Sequence, residues 1–117
     1  MKKIRQLINR AKSIIDYQKA VKMADAEHAK DGERYYVLGG STDGMLLVMN
    51  RSTLKKLKKE GRVDYSISVL TLEKKSFYHT PYSNGTGELT PADIIYKRKQ
   101  FFRWRAACYE RSRRLKK

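Results

Sequence analysis

The chain has 117 residues, enough for one domain, and 27 Lys and Arg against 12 Asp and Glu give it a net charge of +15. Solubility alone requires a net charge of only about 2 to 8 in a small domain, so this excess predicts a polyanionic partner. Eight Tyr, three Phe and one Trp argue against a disordered tail, and the single cysteine, Cys108, excludes an internal disulfide.

A helix is predicted over residues 2–30, with a break near residues 16–17. Its first half carries one apolar stripe at helical spacing, made of Ile4, Leu7, Ile8, Ala11, Ile14 and Ile15. Gly32 ends this helix, because glycine readily adopts the left-handed conformation found at helix C-termini.

A β-hairpin is predicted over residues 34–49, because residues 34–38 and 45–49 are rich in strand formers. The connector from Gly39 to Gly44 is glycine-rich but lacks the Gly-Lys-Ser/Thr ending of a phosphate loop. We therefore interpret it as a hairpin loop.

A short basic helix over residues 53–60 follows, with Leu54 and Leu57 facing inward. Its outer side carries four lysines, Lys55, Lys56, Lys58 and Lys59. Such a helix usually presents a solvated face, but beside a second basic helix it would extend one positive surface across the domain. Residues 65–72 are ambiguous between strand and helix, and we favour a third strand there. Residues 80–89 predict a surface loop.

The last element is a long helix from Thr90 and Pro91 to about residue 114. An N-cap hydroxyl, a proline at the first position and Asp93 in the first turn favour this start. At 100° per residue its core-facing stripe comprises Ile94, Ile95, Phe101, Phe102, Cys108 and Tyr109.

Two arginines, Arg98 and Arg105, fall within that stripe. We favour an arrangement in which their stems are buried and their charged heads lie at the edge. In the alternative, they point into a groove and meet carboxylates or phosphates.

The opposite side of the helix is predicted to be a cationic surface, formed by Lys97, Lys99, Arg103, Arg111 and Arg114. Trp104 falls on the same side, where it either stacks on a base or partner surface or packs under another part of the domain. Arg113 belongs to a basic tail over residues 111–117. Residues 91–117 carry ten basic and two acidic side chains, more than half of the net charge.

No set of residues in the sequence predicts catalysis. His28 and His79 have no spacing that links them to each other or to Cys108 as a catalytic or metal site. We therefore predict a protein that is not an enzyme and has no cofactor. No apolar run is long enough for a signal peptide or a membrane span. The expected location is the cytoplasm, where the protein is made, and incorporation into a virion is a further expectation.

Four stretches carry a resemblance to a known group of proteins. They are residues 32–37, residues 50–63, residues 76–81 with 84–87, and residues 96–104. They resemble small basic proteins, mostly uncharacterised, of crAss-like tailed phages of gut bacteria, over about residues 20–105. The resemblance implies a virion component or a phage protein that handles nucleic acid.

Together these patterns predict an α+β domain over residues 1–117. Residues 1–16 form a helical arm that is separable from a core over residues 17–110. The favoured function is a structural protein of a nucleoprotein assembly, whose cations bind nucleic-acid phosphates or acidic subunits. Two alternatives remain open: a free RNA- or single-strand-binding or regulatory protein, and an adaptor that binds an acidic protein.

Overall fold

The computed structural model describes residues 2–40 and 44–115, with side chains throughout except at residues 2, 3, 69, 70 and 112–115. Its elements in chain order are α1 (Lys2–Asp31), β1 (Tyr36–Gly39), β2 (Leu46–Met49), α2 (Arg51–Lys59), α3 (Val69–Lys75), β3 (Tyr78–His79) and α4 (Pro91–Leu115). The α+β class, the N-terminal helical region and the long C-terminal helix are confirmed.

The three strands form one antiparallel sheet in the order β2-β1-β3. Val37 pairs with Val48 of β2 on one side and with Tyr78 of β3 on the other. Because successive side chains of a strand point to opposite faces, β1 contributes to two separate cores.

One face of the sheet is covered by α2 and α3. Its core comprises Tyr36, Leu38, Leu47 and Met49 from the strands, with Leu54 of α2, Leu72 of α3 and Val63 between them. This face uses the alternate residues of the hairpin, so the two-residue period of the strands determines which side chains meet these helices.

The other face is covered by α1 and α4. Ala20 and Ala24 of α1 pack on Tyr35 and Val37. An aromatic cluster then links both helices to the segment before β3: the rings of Tyr17 and Phe101 stack with centroids 5.4 Å apart, and Phe77 meets Phe101 edge-on. Phe101 is completely buried, which makes it the centre of this second core.

Local capping explains most helix boundaries. Asn50 caps α2 through a reciprocal pair of bonds with Thr53. Thr90 and Asp93 exchange the equivalent bonds at the start of α4, as the sequence predicts. Gly32 follows α1 with a φ of 71°, a left-handed conformation that β-carbon sterics disfavour in other residues.

Two local predictions are wrong. The third strand does not lie at residues 65–72: Val69–Lys75 is helical, with Ser68 as its N-cap, and the strand that joins the sheet is Tyr78–His79. Nor does the first helix break at residues 16–17, since α1 is continuous. Tyr17 is buried there, and its hydroxyl donates to the carbonyl of Phe77 at 2.8 Å. Burial raises the pKa of Tyr17 to about 12.

Candidate nucleic-acid interface

The lysines of α2 lie on the outside of the molecule, as predicted. Lys55, Lys56 and Lys59 are exposed and Lys58 is half-buried, because Leu54 anchors the opposite side of the helix in the core. Further exposed cations occur in the same segment of the chain, at Arg51, Arg62, Lys74 and Lys75. Residues 51–75 hold eight basic and three acidic side chains, so this segment forms a positive surface in addition to that of the C-terminal helix.

The outer side of α4 presents Lys99, Arg103 and Arg111, all exposed as predicted. Tyr96, which was not among the predicted site residues, is 63% exposed. It stands three residues before Lys99 and seven before Arg103, a spacing that aligns the three side chains along one helix face. The aromatic ring and the two cations therefore form one strip.

The prediction that Lys97 faces outward is wrong. Lys97 is buried, and its ammonium donates to the carbonyls of Glu73 and Ser76, both at 2.7 Å. Both carbonyls lie at the C-terminal end of α3, where unpaired carbonyls and the helix dipole favour a cation. Burial lowers the pKa of Lys97. Lys97 is therefore a cap on α3 and is not available to a phosphate.

Trp104 also packs inward, which corrects its assignment to the cationic side. Its ring lies 5.3 Å from that of Phe77 and 6.2 Å from that of Phe101, centroid to centroid. The half-buried indole belongs to the aromatic cluster beneath the sheet. Of the two interpretations left open for Trp104, packing within the domain is the one observed.

Arg105 and Arg98 differ, although both fall in the predicted stripe. Arg105 is buried, and its Nη1 lies 2.7 Å from Oδ2 of Asp16 on α1. Its head therefore meets a carboxylate and does not lie at the edge, whereas Arg98 is exposed. Ile95 is also exposed. The observed core-facing stripe of α4 keeps the other predicted apolar residues, Ile94, Phe101, Phe102, Cys108 and Tyr109, and it also includes Lys97, Trp104 and Arg105.

The basic surfaces of α2 and α4 lie on opposite faces of the sheet. Leu54 packs against the side of the sheet that contains Leu38, whereas Trp104 covers Gly39, the next residue along β1. The sequence suggested one positive surface extending from α2 to α4, whereas in the structure the sheet lies between these two helices. In the described part of the chain, the basic surfaces of α2 and α4 therefore belong to different layers of the domain.

The C-terminal part of the predicted site is described only in its backbone. Helix α4 continues through Arg113 and Arg114 to Leu115. The side chains of these two arginines lie outside the described part of the structure, as do residues 116–117 entirely. Their contribution to the basic tail stays a prediction.

A buried polar network that sequence reasoning missed surrounds Arg34. The guanidinium donates to the carbonyl of Thr80 at 2.9 Å, to Nδ1 of His79 at 2.9 Å and to the carbonyl of Gly87 at 3.0 Å. It also pairs with Glu73 at 3.3 Å. Because Nδ1 of His79 accepts this bond, the ring proton lies on Nε2.

This network fastens the surface loop after β3 to the start of β1. The guanidinium of Arg34 lies 4.1 Å from the ring centroid of Tyr82, so the loop is held by stacking as well as hydrogen bonds. Burial, and then the charge of Arg34, lowers the pKa of His79 and keeps the imidazole neutral. A cleft of about 600 Å³ opens beside Arg34, Glu73 and Tyr82. The donors of Arg34 are engaged within the chain, which makes this arrangement a structural brace.

The described residues contain no helix with both the length and the apolar character needed to cross a bilayer. In comparisons with known proteins, no family model, curated protein or solved structure matches this chain. The fold and the described surfaces define the class only as a small basic α+β protein with cationic surfaces on α2 and α4.

Proposed function

We propose that this chain is a non-enzymatic structural component of a nucleoprotein assembly, which binds nucleic-acid phosphates through two basic surfaces. The first is the α2 surface, defined by Lys55, Lys56, Lys58 and Lys59. The second is the α4 surface, defined by Lys99, Arg103 and Arg111. Binding to phosphates does not depend on base sequence and weakens steeply as salt rises, because condensed counterions are released.

One observation carries this proposal. Six of the seven cations of the two surfaces are exposed and Lys58 is half-buried, and none of the seven is ion-paired with a residue in the described part of the chain. Cations without a carboxylate partner attract a polyanion without first breaking an internal ion pair. Their location on opposite faces favours a protein that bridges two segments of nucleic acid, or a nucleic acid and an acidic subunit.

The resemblance to proteins of crAss-like tailed phages favours a phage particle as the assembly. A packaged genome is a dense array of phosphates, and a small protein with two cationic faces suits the space between neighbouring segments. Cytoplasmic synthesis followed by incorporation into a virion is part of the same proposal.

A second candidate function is binding of single-stranded RNA or DNA. The observation that favours it is the strip formed by Tyr96, Lys99 and Arg103, in which an exposed ring stands beside two cations. Single-strand binding proteins combine aromatic platforms for bases with cations for the backbone, and each stacked base contributes about 1–3 kcal/mol. Trp104 is not available for this role, because it is packed against Phe77.

The test is a fluorescence-anisotropy titration of the full chain with duplex and single-stranded oligonucleotides at several salt concentrations. One variant replaces the four lysines of the α2 surface with Gln, and another replaces the three cations of the α4 surface. Each neutralised phosphate contact is expected to reduce the log–log salt slope by about 1. Tyr96→Ala separates the candidates, because it weakens single-strand binding and leaves duplex binding nearly unchanged.

A matched control removes three charges from α1 through Lys19→Gln, Lys22→Gln and Lys30→Gln, all at exposed positions. This variant is expected to retain the salt slope of the unmodified protein within about 1. If it weakens binding as much as the α4 variant, net charge alone drives the interaction and the two surfaces are not sites. No binding near physiological salt contradicts both candidates and favours the adaptor of an acidic protein.

A further inference from the structure

Helix α1 leaves its most apolar face in solvent. Leu7 is 67% exposed, Ile8 is 61% exposed, and the neighbouring stripe residues Ile4, Ala11, Ile14 and Ile15 are exposed as well. We call these six residues the arm stripe. Large apolar side chains that are exposed as a contiguous group mark a surface that another molecule covers.

The arm stripe lies on the opposite side of α1 from the face that packs on its own domain. The helix buries Ser13, Tyr17, Ala20 and Ala24, which recur at spacings of three and four residues. At 100° per residue, these positions centre about half a turn away from the stripe. The described part of the domain therefore leaves the stripe uncovered.

The spacing within the stripe suits a helix as the occupant. Ile4, Ile8, Ala11 and Ile15 are separated by four, three and four residues, the alternation of the interface positions in a two-helix coiled coil. The stripe is about 16 Å long at 1.5 Å per residue. The isoleucine side chains would pack as knobs into holes of a partner helix, and the small Ala11 would allow the two helix backbones to approach closely at the middle of the stripe.

Charge selects the occupant among helices. Residues 2–16 carry five basic side chains and one acidic, so two copies of the arm would place like charges along both sides of their contact. A membrane surface is less suited, because residues 2–16 contain no Trp, Tyr or Phe, the residues that anchor interfacial helices. A partner helix with an apolar seam flanked by carboxylates would cover the arm stripe and also form ion pairs with the basic side chains beside it.

The geometry points to the arm stripe as a docking site for an acidic amphipathic helix of a different protein. This interaction is separate from the phosphate binding proposed above, since it uses apolar residues of α1 that belong to neither basic surface. It would tether the chain to a protein subunit while the α2 and α4 surfaces remain open to nucleic acid.

The experiment titrates the full chain with a synthetic three-heptad peptide of about 21 residues. The peptide has Ile and Leu at its seam and Glu at the flanking positions, and a matched peptide has Lys at those positions. We expect micromolar binding of the Glu peptide only. A variant with Ile8→Gln and Ile15→Gln is expected to lose at least about tenfold in affinity, because two buried isoleucines are removed.

The control is Met23→Gln, an exposed apolar position of α1 outside the stripe. It is expected to bind the Glu peptide like the unmodified chain. Equal binding by the Ile8 and Ile15 variant overturns the inference, because the attraction would then be purely electrostatic. Stripe-dependent dimers in sedimentation, without peptide binding, would identify a second copy as the occupant. Stripe-dependent binding to phosphatidylglycerol vesicles, without peptide binding, would identify a membrane.

Discussion

The indole of Trp104 lies directly against Gly39 of β1. A β-carbon built on Gly39 would come within 2.6 Å of Cη2 and 2.7 Å of Cε2 of this ring, distances that real contacts do not reach. Gly39 thus lets the indole of α4 lie against the backbone of β1, because it has no side chain. The absence of a side chain at one residue allows the aromatic cluster to close.

Gly39→Ala is expected to destabilise the protein by about 2–3 kcal/mol, because the indole must move out of a packed site. Urea denaturation measures the loss. In a Trp104→Phe background the same substitution is expected to cost at least about 1 kcal/mol less, because the smaller ring leaves room for the methyl group. Equal costs in both backgrounds would show that the two residues are not coupled.

Lys97→Met is expected to cost about 2 kcal/mol of unfolding free energy. Methionine retains the volume of the stem but cannot donate to the carbonyls of Glu73 and Ser76. Lys99→Met, two positions along and exposed, is expected to change stability by less than about 0.5 kcal/mol. Nucleic-acid affinity should show the reverse pattern, with Lys99→Met weakening binding and Lys97→Met leaving it nearly unchanged.

Stability is expected to fall on acidification because of His79. Its pKa lies below the ordinary value of 6.5 in the folded state, owing to burial and then to Arg34. The unfolded chain therefore takes up the proton first, and stability present above pH 6.5 is lost as the pH falls towards the folded pKa. Urea titrations between about pH 7.5 and 5 measure this decline.

His79→Asn tests the assignment of that decline, because Oδ1 of asparagine can replace Nδ1 as the acceptor from Arg34. The variant is expected to show a shallower dependence of stability on pH than the unmodified chain. Since both proteins retain His28, an unchanged pH dependence would place the responsible group elsewhere.

Asp16→Asn is expected to destabilise the domain by about 2–4 kcal/mol, because it leaves the buried guanidinium of Arg105 without a counter-charge. The control is Glu27→Gln, which removes an exposed carboxylate 3.5 Å from Lys30. That change is expected to cost less than about 1 kcal/mol in the same denaturation assay. Similar losses in the two variants would mean that burial adds nothing to the Asp16–Arg105 pair.

Most helices and strands of this fold could be predicted from the sequence, because residues close to their ends determine where they begin and end. Thr90 with Asp93 and the glycine at position 32 act within one helical turn, so the sequence alone identifies them. The prediction of a strand around Val69 was wrong because the structure there depends on contacts distant in sequence. The apolar residues of this region suit a strand or a helix equally, and the choice depends on the packing of Leu72 beneath β1.

The faces of the long helices were harder to predict than their extents. The hydrophobic pattern predicted an exposed Lys97. The side chain is buried instead, because its ammonium donates to the carbonyl of Ser76, which is distant in sequence and close only in the folded structure. The same pattern placed Ile95 inside, where it is not found. Whether a lysine or arginine side chain is buried depends on acceptors distant in sequence, and the residue positions around one helix give no information about those acceptors.

The contact between Tyr17 and Phe101 has a consequence for synthesis. These rings come from the first and last helices, so the core beneath the sheet stays open until α4 has left the ribosome. The hairpin with α2 and α3 is continuous in sequence and can form earlier, since its contacts are local. We therefore expect a nascent chain to present the α2 lysines before the α4 surface exists, so that an early polyanion would meet these lysines first.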